Sequence, residues 1–305
     1  MLLFHRCVTR SFVHRRPGAF GSAPRPVVAL LEARMSRELS RLVEKHGGNP
    51  LCVPALREVR ASSLEETRSV LADLVVARHD VVIFMTGVAA SLLFEVAEEE
   101  GQRQALVSGL ARITTVARGP KPTAALRGFG VPPTLTAREP FTSAELIDAL
   151  SGVPLEGRRV LLFHYGERSA TLAETLRARH VELEECWLYR WLMPHDTRAL
   201  EALIGSVIAG QVDALVITCQ VQFRHLLEAA RQVSLARELL EALRRDVVVA
   251  AMGPTCHAIL QVHGVPVHVM PEQPKMGPLI RSLMLYLEHP SHVLATGSSL
   301  EPLLH

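Results

Sequence analysis

Several things are scarce in this chain of 305 residues, and each scarcity excludes a class of function. No apolar run approaches the roughly 18 residues that a membrane-spanning helix needs. The best candidate, VVIFMTGVAASLLF, is short and lies between Asp80 and Glu95. The five cysteines (Cys7, Cys52, Cys186, Cys219 and Cys256) are scattered without a CxxC pair, so neither a disulfide framework nor a zinc ribbon is indicated. A reducing compartment, the cytoplasm, is the simpler setting. A net charge of +2 gives no sign of the clustered basic face that nucleic acid requires. No GxGxxG follows a predicted strand, which argues against a nucleotide-binding Rossmann unit. No signal-peptide apolar region precedes the first predicted strand, which argues against a periplasmic binding protein. His257, His263 and His268 are close in sequence, but their spacing across Gly264 and Pro266 suits no zinc pair and reads as turn or surface histidines.

The ends differ from the middle. Residues 1–26 carry Arg6, Arg10, Arg15, Arg16 and Arg25 with no acid; the first acidic residue is Glu32. This suits an organelle transit peptide or a disordered extension, and the extension is the simpler reading. Residues 289–305 read as a flexible tail.

What the chain does have is a copy of itself, at an offset of 133 to 134 positions. Val27 to Leu31 returns as Val160 to His164, with Ser36 and Leu39 returning as Ser169 and Leu172. DVVIFMTG from Asp80 returns as DALVITCQ from Asp213. Gly119-Pro120-Lys121 returns as Gly253-Pro254-Thr255, and Leu126, Gly130, Val131 and Pro132 return as Leu260, Gly264, Val265 and Pro266. A period this long is not that of a solenoid, whose repeats run about 20–50 residues. It implies two similar domains, and a cleft between domains is where ligands bind.

Each copy alternates strands with helices, which predicts an α/β fold of two similar doubly wound parallel-sheet domains. Strands are expected at Val27–Leu31, Pro50–Pro54, Val81–Met85, Ile113–Ala117, Val160–Phe163, from Leu183, at Ala214–Thr218 and at Val247–Ala251. Helices are expected from Ser36 to Gly47-Gly48, at 62–78, Ala90–Glu99 and Phe223–Gln232, and around Leu172 and Leu176. Asp80 and Asp213 read as caps or turn residues. PALREVRA (54–61) and WLYRWLM (187–193) occupy matching places and look extended. They suit a two-stranded connector of residues 55–61 and 187–193. Residues 27–54 would then complete a discontinuous domain with 194–288, and 62–186 would form the other.

ARGPKPTAALRGFGV, AAMGPTCHAILQVHGVPVHVMPEQP, DALVITCQVQFRHLL and the tyrosine of WLYRW, in this order and spacing, resemble uroporphyrinogen-III synthase over residues 26–288. MTGVAA and ARGPKP look most like a bacterial branch of that family. The resemblance implies two α/β domains on a two-stranded connector, no cofactor and no metal. It implies a monomer that takes hydroxymethylbilane, a linear tetrapyrrole with eight carboxylates, handed over from hydroxymethylbilane synthase. Loss of the terminal hydroxyl gives an azafulvene, and the ring closes through a spiro-pyrrolenine with the last pyrrole inverted. Without the enzyme the chain closes to the uninverted isomer I. The enzyme's task is therefore conformational positioning as well as rate, for which a hinged cleft is suited.

The resemblance makes Tyr189 the acid that assists the departing hydroxyl; on the residues alone it reads as a packing residue between domains. It also gives a purpose to four turns where a strand ends and a helix begins: Thr86-Gly87, Gly119-Pro120-Lys121, Thr218-Cys219-Gln220 and Gly253-Pro254-Thr255. Free N–H groups and helix dipoles favour anions at such turns. Gly and Pro punctuate αβ units anyway, but four turns in equivalent places make a substrate seat the better reading. Arg118, Arg34 and Arg168 add charge, although any one reads as an ordinary surface cation; Gly166 joins the binding set. Thr255 matches a family threonine facing the cleft. The family's second threonine is here Cys256 and its serine is Cys219, and a thiol is a weaker hydrogen-bond donor. The alternative function is a non-catalytic two-lobed sensor of a tetrapyrrole or another polyanion; the absence of a helix-turn-helix after residue 288 argues against it.

Overall fold

The computed structural model describes residues 24–60 and 64–289. Most of the arginine-rich N-terminal extension, the first residues of the expected helix at 62–78 and nearly all of the tail lie outside the described residues. Among the described residues the strands are β1 Val27–Leu30, β2 Asn49–Cys52, β3 Arg57–Arg60, β4 Val81–Phe84, β5 Thr114–Ala117, β6 Leu135–Thr136, β7 Arg159–Phe163, β8 Glu182–Cys186, β9 Tyr189–Leu192, β10 Ala214–Ile217 and β11 Val248–Ala251.

They form two parallel sheets and one antiparallel pair. One sheet has the order β11-β10-β1-β2 and the other β6-β5-β4-β7-β8. Laid over one another, β11, β10, β1 and β2 correspond to β5, β4, β7 and β8, so the sequence repeat is a repeat of strand order. β3 pairs with β9 from Arg57 opposite Leu192 to Arg60 opposite Tyr189, and links the two lobes. Because β1 pairs directly with β10, the first lobe is closed by segments nearly two hundred residues apart.

The buried strands explain themselves. VVIF of β4 and ALVI of β10 are buried at every position. Alternate residues serve opposite faces: Val82 and Phe84 enter one core of the second lobe, Val81 and Ile83 the other. Leu215 and Ile217 likewise enter one core of the first lobe, Ala214 and Val216 the other. A continuous apolar run, rather than an alternating one, is what a parallel strand covered on both faces requires.

The register is fixed by a repeated acid. Asp213 Oδ2 accepts from the Val27 N–H at 2.7 Å, and Asp80 Oδ2 accepts from the Arg159 N–H at 2.9 Å. In each lobe the acid before one central strand thus ties down the start of its neighbour. Asp80 also receives Arg158 Nη1 at 2.9 Å. The Arg159 N–H, followed by Arg158, holds the Asp80 carboxyl below its usual range against the opposing effect of burial.

Asp80→Ala should cost about 1 kcal/mol, a charge-assisted bond discounted for solvent exposure, or roughly 3 °C in Tm. A depressed carboxyl stabilises above its unfolded pKa and loses that contribution as the pH falls through its folded value. The Tm gap between Asp80→Ala and the parent should be complete at neutral pH and close below about pH 3.9.

Candidate functional site

The turns at the C-terminal ends of β4, β5, β10 and β11 open the helices Gly87–Glu99, Pro120–Gly128, Gln220–Gln232 and Pro254–Val262. Two of these helices begin earlier than periodicity predicts. Gly87–Glu99 takes in Gly87, and Gln220–Gln232 takes in Gln220, so both positions are first helical residues rather than loop. None of the four has an acidic residue in its first turn, which leaves the positive helix ends uncompensated by charge from their own sequence. Gly87 lies hard against its neighbour: a Cβ there would stand 2.9 Å from the Lys121 carbonyl oxygen. In the same way a Cβ on Gly119 would meet the Phe141 ring at 3.2 Å.

Tyr189, on β9, is sealed into the core of the second lobe at 1% exposure. Its hydroxyl donates to Thr86 Oγ1 at 3.0 Å, and that oxygen also caps its helix by accepting from the Ala89 N–H at 3.3 Å. Burial pushes the Tyr189 phenol up to about 12, with the bond to Thr86 pulling modestly the other way. The residue is therefore a neutral proton donor at any ordinary pH.

Trp191, two residues on, packs edge-on to Tyr189 at 5.7 Å between centroids and tilts against Tyr165 at 6.1 Å. Its indole N–H donates to Glu58 Oε2 at 3.3 Å across the β3–β9 pair. Gly166 makes this possible. A Cβ there would sit 2.3 Å from the Trp191 ring, and the backbone has a φ of +37°.

The seam is polar as well as aromatic. Tyr165 Oη, in the second lobe, accepts from Gln220 Nε2 at 3.2 Å, in the first lobe. Glu167 pairs with Arg224 one helical turn further along. Arg34 is paired with Glu58. Arg118 stands apart. Its guanidinium lies 5.2 Å from the Tyr165 ring centroid, and it has no carboxylate partner among the described residues. Arg118 is half-buried, and burial lowers its pKa while Tyr165 and Tyr189 act the other way.

Several residues singled out by sequence are engaged elsewhere. The Thr218 hydroxyl donates to Glu32, which also takes Gln222 Nε2 at 3.0 Å, so Thr218 braces its turn. Gln222 Oε1 accepts from the Thr218 N–H at 2.8 Å. Arg168 binds Glu185 with Arg177 and with His164 Nε2, a cluster in which the histidine is buried and both guanidiniums remain exposed. Burial opposes the ionisation of Glu185, but these three donors hold it at about 2. His164 Nδ1 accepts from the Ser169 N–H at 3.1 Å, which leaves Nε2 as the donor to Glu185. Cys256 turns into the core of the first lobe at 2% exposure, and burial pushes its thiol to about 12. Cys219 is half-buried, its thiol pushed to about 11 by burial, so both cysteines are neutral thiols. Lys121, Pro254 and Thr255 are exposed at their turns, and Gly253 is partly exposed between them. His268 Nδ1 accepts from the Val249 N–H at 3.0 Å, and His263 tilts against Phe223. Among the described residues no three His, Cys, Asp or Glu side chains are grouped to hold a metal, and no helix is long and apolar enough to cross a membrane.

The residues that sequence reasoning passed over are Tyr165, Glu167, Trp191 and Glu32. A signal was present. At the offset of 133, Tyr165 falls on Glu32, and each follows the end of an equivalent strand and binds the start of the helix Gln220–Gln232.

Residues 37–281 match the family model described as uroporphyrinogen-III synthase HemD. The chain is 31% identical over 253 residues to a protein of Methanothermobacter thermautotrophicus provisionally named as a uroporphyrinogen-III synthase, covering 81% of this chain and 93% of that one. It is 26% identical over 264 residues to an uncharacterised protein of Bacillus subtilis, covering 86% and 96%. A crystal structure of a mutant uroporphyrinogen III synthase from Thermus thermophilus superposes with a TM-score of 0.71 at 26% identity, covering 86% of this chain and 99% of that one. The wild-type Thermus protein in another crystal form gives 0.56 at the same identity, covering 86% and 98%. The chain belongs to the uroporphyrinogen-III synthase HemD family.

Gly166→Ala should destabilise by about 2 kcal/mol, through overpacking against Trp191 and the positive φ, lowering Tm by roughly 5 °C. Both tryptophans of the chain, Trp187 and Trp191, lie beside this turn, so a shifted emission maximum should accompany the loss.

Proposed function

We propose that this family member cyclises hydroxymethylbilane to uroporphyrinogen III, with inversion of ring D and release of water. The observation that carries the reading is the placement of Tyr189: a neutral, desolvated phenol, held on the connector between the lobes, with its proton directed at a single hydroxyl oxygen that a substrate can replace.

In this reading the terminal hydroxyl of the substrate takes the place of Thr86 Oγ1 as the acceptor from Tyr189. The carbon–oxygen bond breaks as the pyrrole nitrogen pushes electrons toward the departing group. The Tyr189 proton goes to the hydroxyl, which leaves as water, and the substrate becomes the azafulvene in its N-protonated, azafulvenium form, paired with the phenolate. A phenol as weak as this one does not ionise unaided, but burial beside a developing cation favours the phenolate as that cation forms. The proton released when the closed macrocycle regains its aromatic pyrroles restores the phenol, so the protein ends as it began.

Selecting isomer III is a matter of holding the chain in one folded shape. The substrate's carboxylates have candidate seats on both lobes: the uncompensated helix starts at Thr86-Gly87, Gly119-Pro120-Lys121, Cys219-Gln220 and Gly253-Pro254-Thr255, with Arg118 at the end of β5 beside the second of these. The two Thermus crystal forms superpose on this chain with different scores at equal identity and near-equal coverage, which fits lobes that change their relative placement. One chain supplies both sides of the seam, so the working unit is taken to be a monomer.

The test is product analysis. Hydroxymethylbilane made in situ and treated with the pure protein should give mainly isomer III after oxidation and chromatography; isomer I at the protein-free level contradicts the reading. Tyr189→Phe keeps the ring and should lower kcat by about a hundredfold or more, the usual contribution of a general acid.

A further inference from the structure

We propose that Tyr165 is a positioning residue that occupies a carboxylate seat on Arg118 in the ligand-free protein, and that an incoming carboxylate displaces the ring to pair with the guanidinium. Three arginines at the seam, Arg34, Arg118 and Arg224, lie off the connector strands. Arg34 is neutralised by Glu58 and Arg224 by Glu167, while among the described residues Arg118 has no carboxylate partner and lies over the face of Tyr165 at 5.2 Å, with Tyr189 also within electrostatic reach. A cation over an aromatic face is a real attraction, but weaker than a desolvated bidentate carboxylate pair. The ring is therefore a partner that an anion can outcompete.

The ring is also held by contacts that can be released. One bond of 3.2 Å from Gln220 fixes its hydroxyl to the other lobe, and the Glu167–Arg224 pair fixes the same turn to the next turn of the same helix. Both tie the second lobe to the first, so lobe separation breaks them together. The same movement would release the Tyr165 ring from its inter-lobe anchors while leaving it beside Arg118 in the second lobe, and would present Gln220 at a helix start. The ring's other neighbour, Trp191, lies against Gly166 and backs the turn from the connector side. Opening of the cleft thus loosens the ring that lies over the half-buried cation, and an entering carboxylate completes its displacement. The identity of the natural carboxylate rests on the synthase reading; the seat itself does not.

The probe is mellitate, benzenehexacarboxylate, titrated by calorimetry into the full chain at low ionic strength. Wild-type protein should bind it. Arg118→Met should weaken binding about tenfold or more, the value of one buried charge-assisted pair. Tyr165→Leu, which removes the competing face, should tighten binding by about threefold to tenfold, and Gln220→Ala, which releases the ring, should move it in the same direction. Tm and circular dichroism identify any variant that fails to fold, and Gln220→Ala, a change at a partly exposed position, keeps the test open if Tyr165→Leu does not fold. Absence of mellitate binding, unchanged binding in Arg118→Met, or weaker binding in both Tyr165→Leu and Gln220→Ala would overturn the proposal. A protein that shows the expected pattern but forms no isomer III keeps the seat and loses the synthase reading.

Discussion

The packing of Trp191 into the space left by Gly166 is the contact on which the seam between the lobes depends. A glycine at a φ of +37° lets the turn after β7 lie against an indole with no side chain between them. That indole then sets the places of Tyr165 on one side and Tyr189 on the other, and its N–H reaches Glu58 on the partner strand of the connector. Glu58 in turn holds Arg34 from the first lobe. A short antiparallel ribbon has little apolar surface of its own, and a two-stranded hairpin is marginal in isolation. Here the ribbon is stabilised by packing Tyr189 and Trp191 against the core of the second lobe, which fixes the acid candidate without requiring the lobes to be rigid relative to one another.

The duplicated lobes are alike in strand order and in their aspartate pins but not in the polar groups that the site uses. At the offset of 133, Tyr189 falls on Leu56 and Thr86 on Cys219; at 134, Arg118 falls on Met252. The second lobe and β9 therefore carry the phenol, its hydroxyl partner and the half-buried cation Arg118. The first lobe contributes helix starts and Gln220. Twofold similarity gives two facing sets of backbone donors, and divergence at a few strand-end positions makes one set chemical. This division explains why the thiols at 219 and 256 are tolerable. Cys256 points into the core, and at Cys219 the turn is held by Gln222, so neither turn depends on its side chain as a donor.

The parallel sheets were legible because VVIF and ALVI can be covered on both faces only in such a sheet, and the repeat pointed to the equivalence of the lobes. The helix starts at Gly87 and Gln220 were placed too late because neither Gly nor Gln announces a cap, whereas the Thr86 cap and the Gln222 brace become visible only when their hydrogen-bond partners are seen. The contacts of Arg34 and Arg168 were not readable at all. Their partners Glu58 and Glu185 lie 24 and 17 residues away and reach them only through the fold. Tyr165 was recoverable in principle, since extending the first repeat block by one position brings it onto Glu32, but its meaning required the other lobe.

The account stands on Tyr189 being a neutral phenol sealed into the core of the second lobe. With tyrosines labelled at the ring ζ carbon, and the Tyr189 resonance identified by its loss in Tyr189→Phe, a pH titration of the folded protein reads this directly. The predicted result is a resonance still in its protonated position at about pH 10.5, where an ordinary tyrosine of pKa near 10 is mostly ionised. A Tyr189 resonance that titrates with a midpoint near 10 would place the phenol in water and contradict the account.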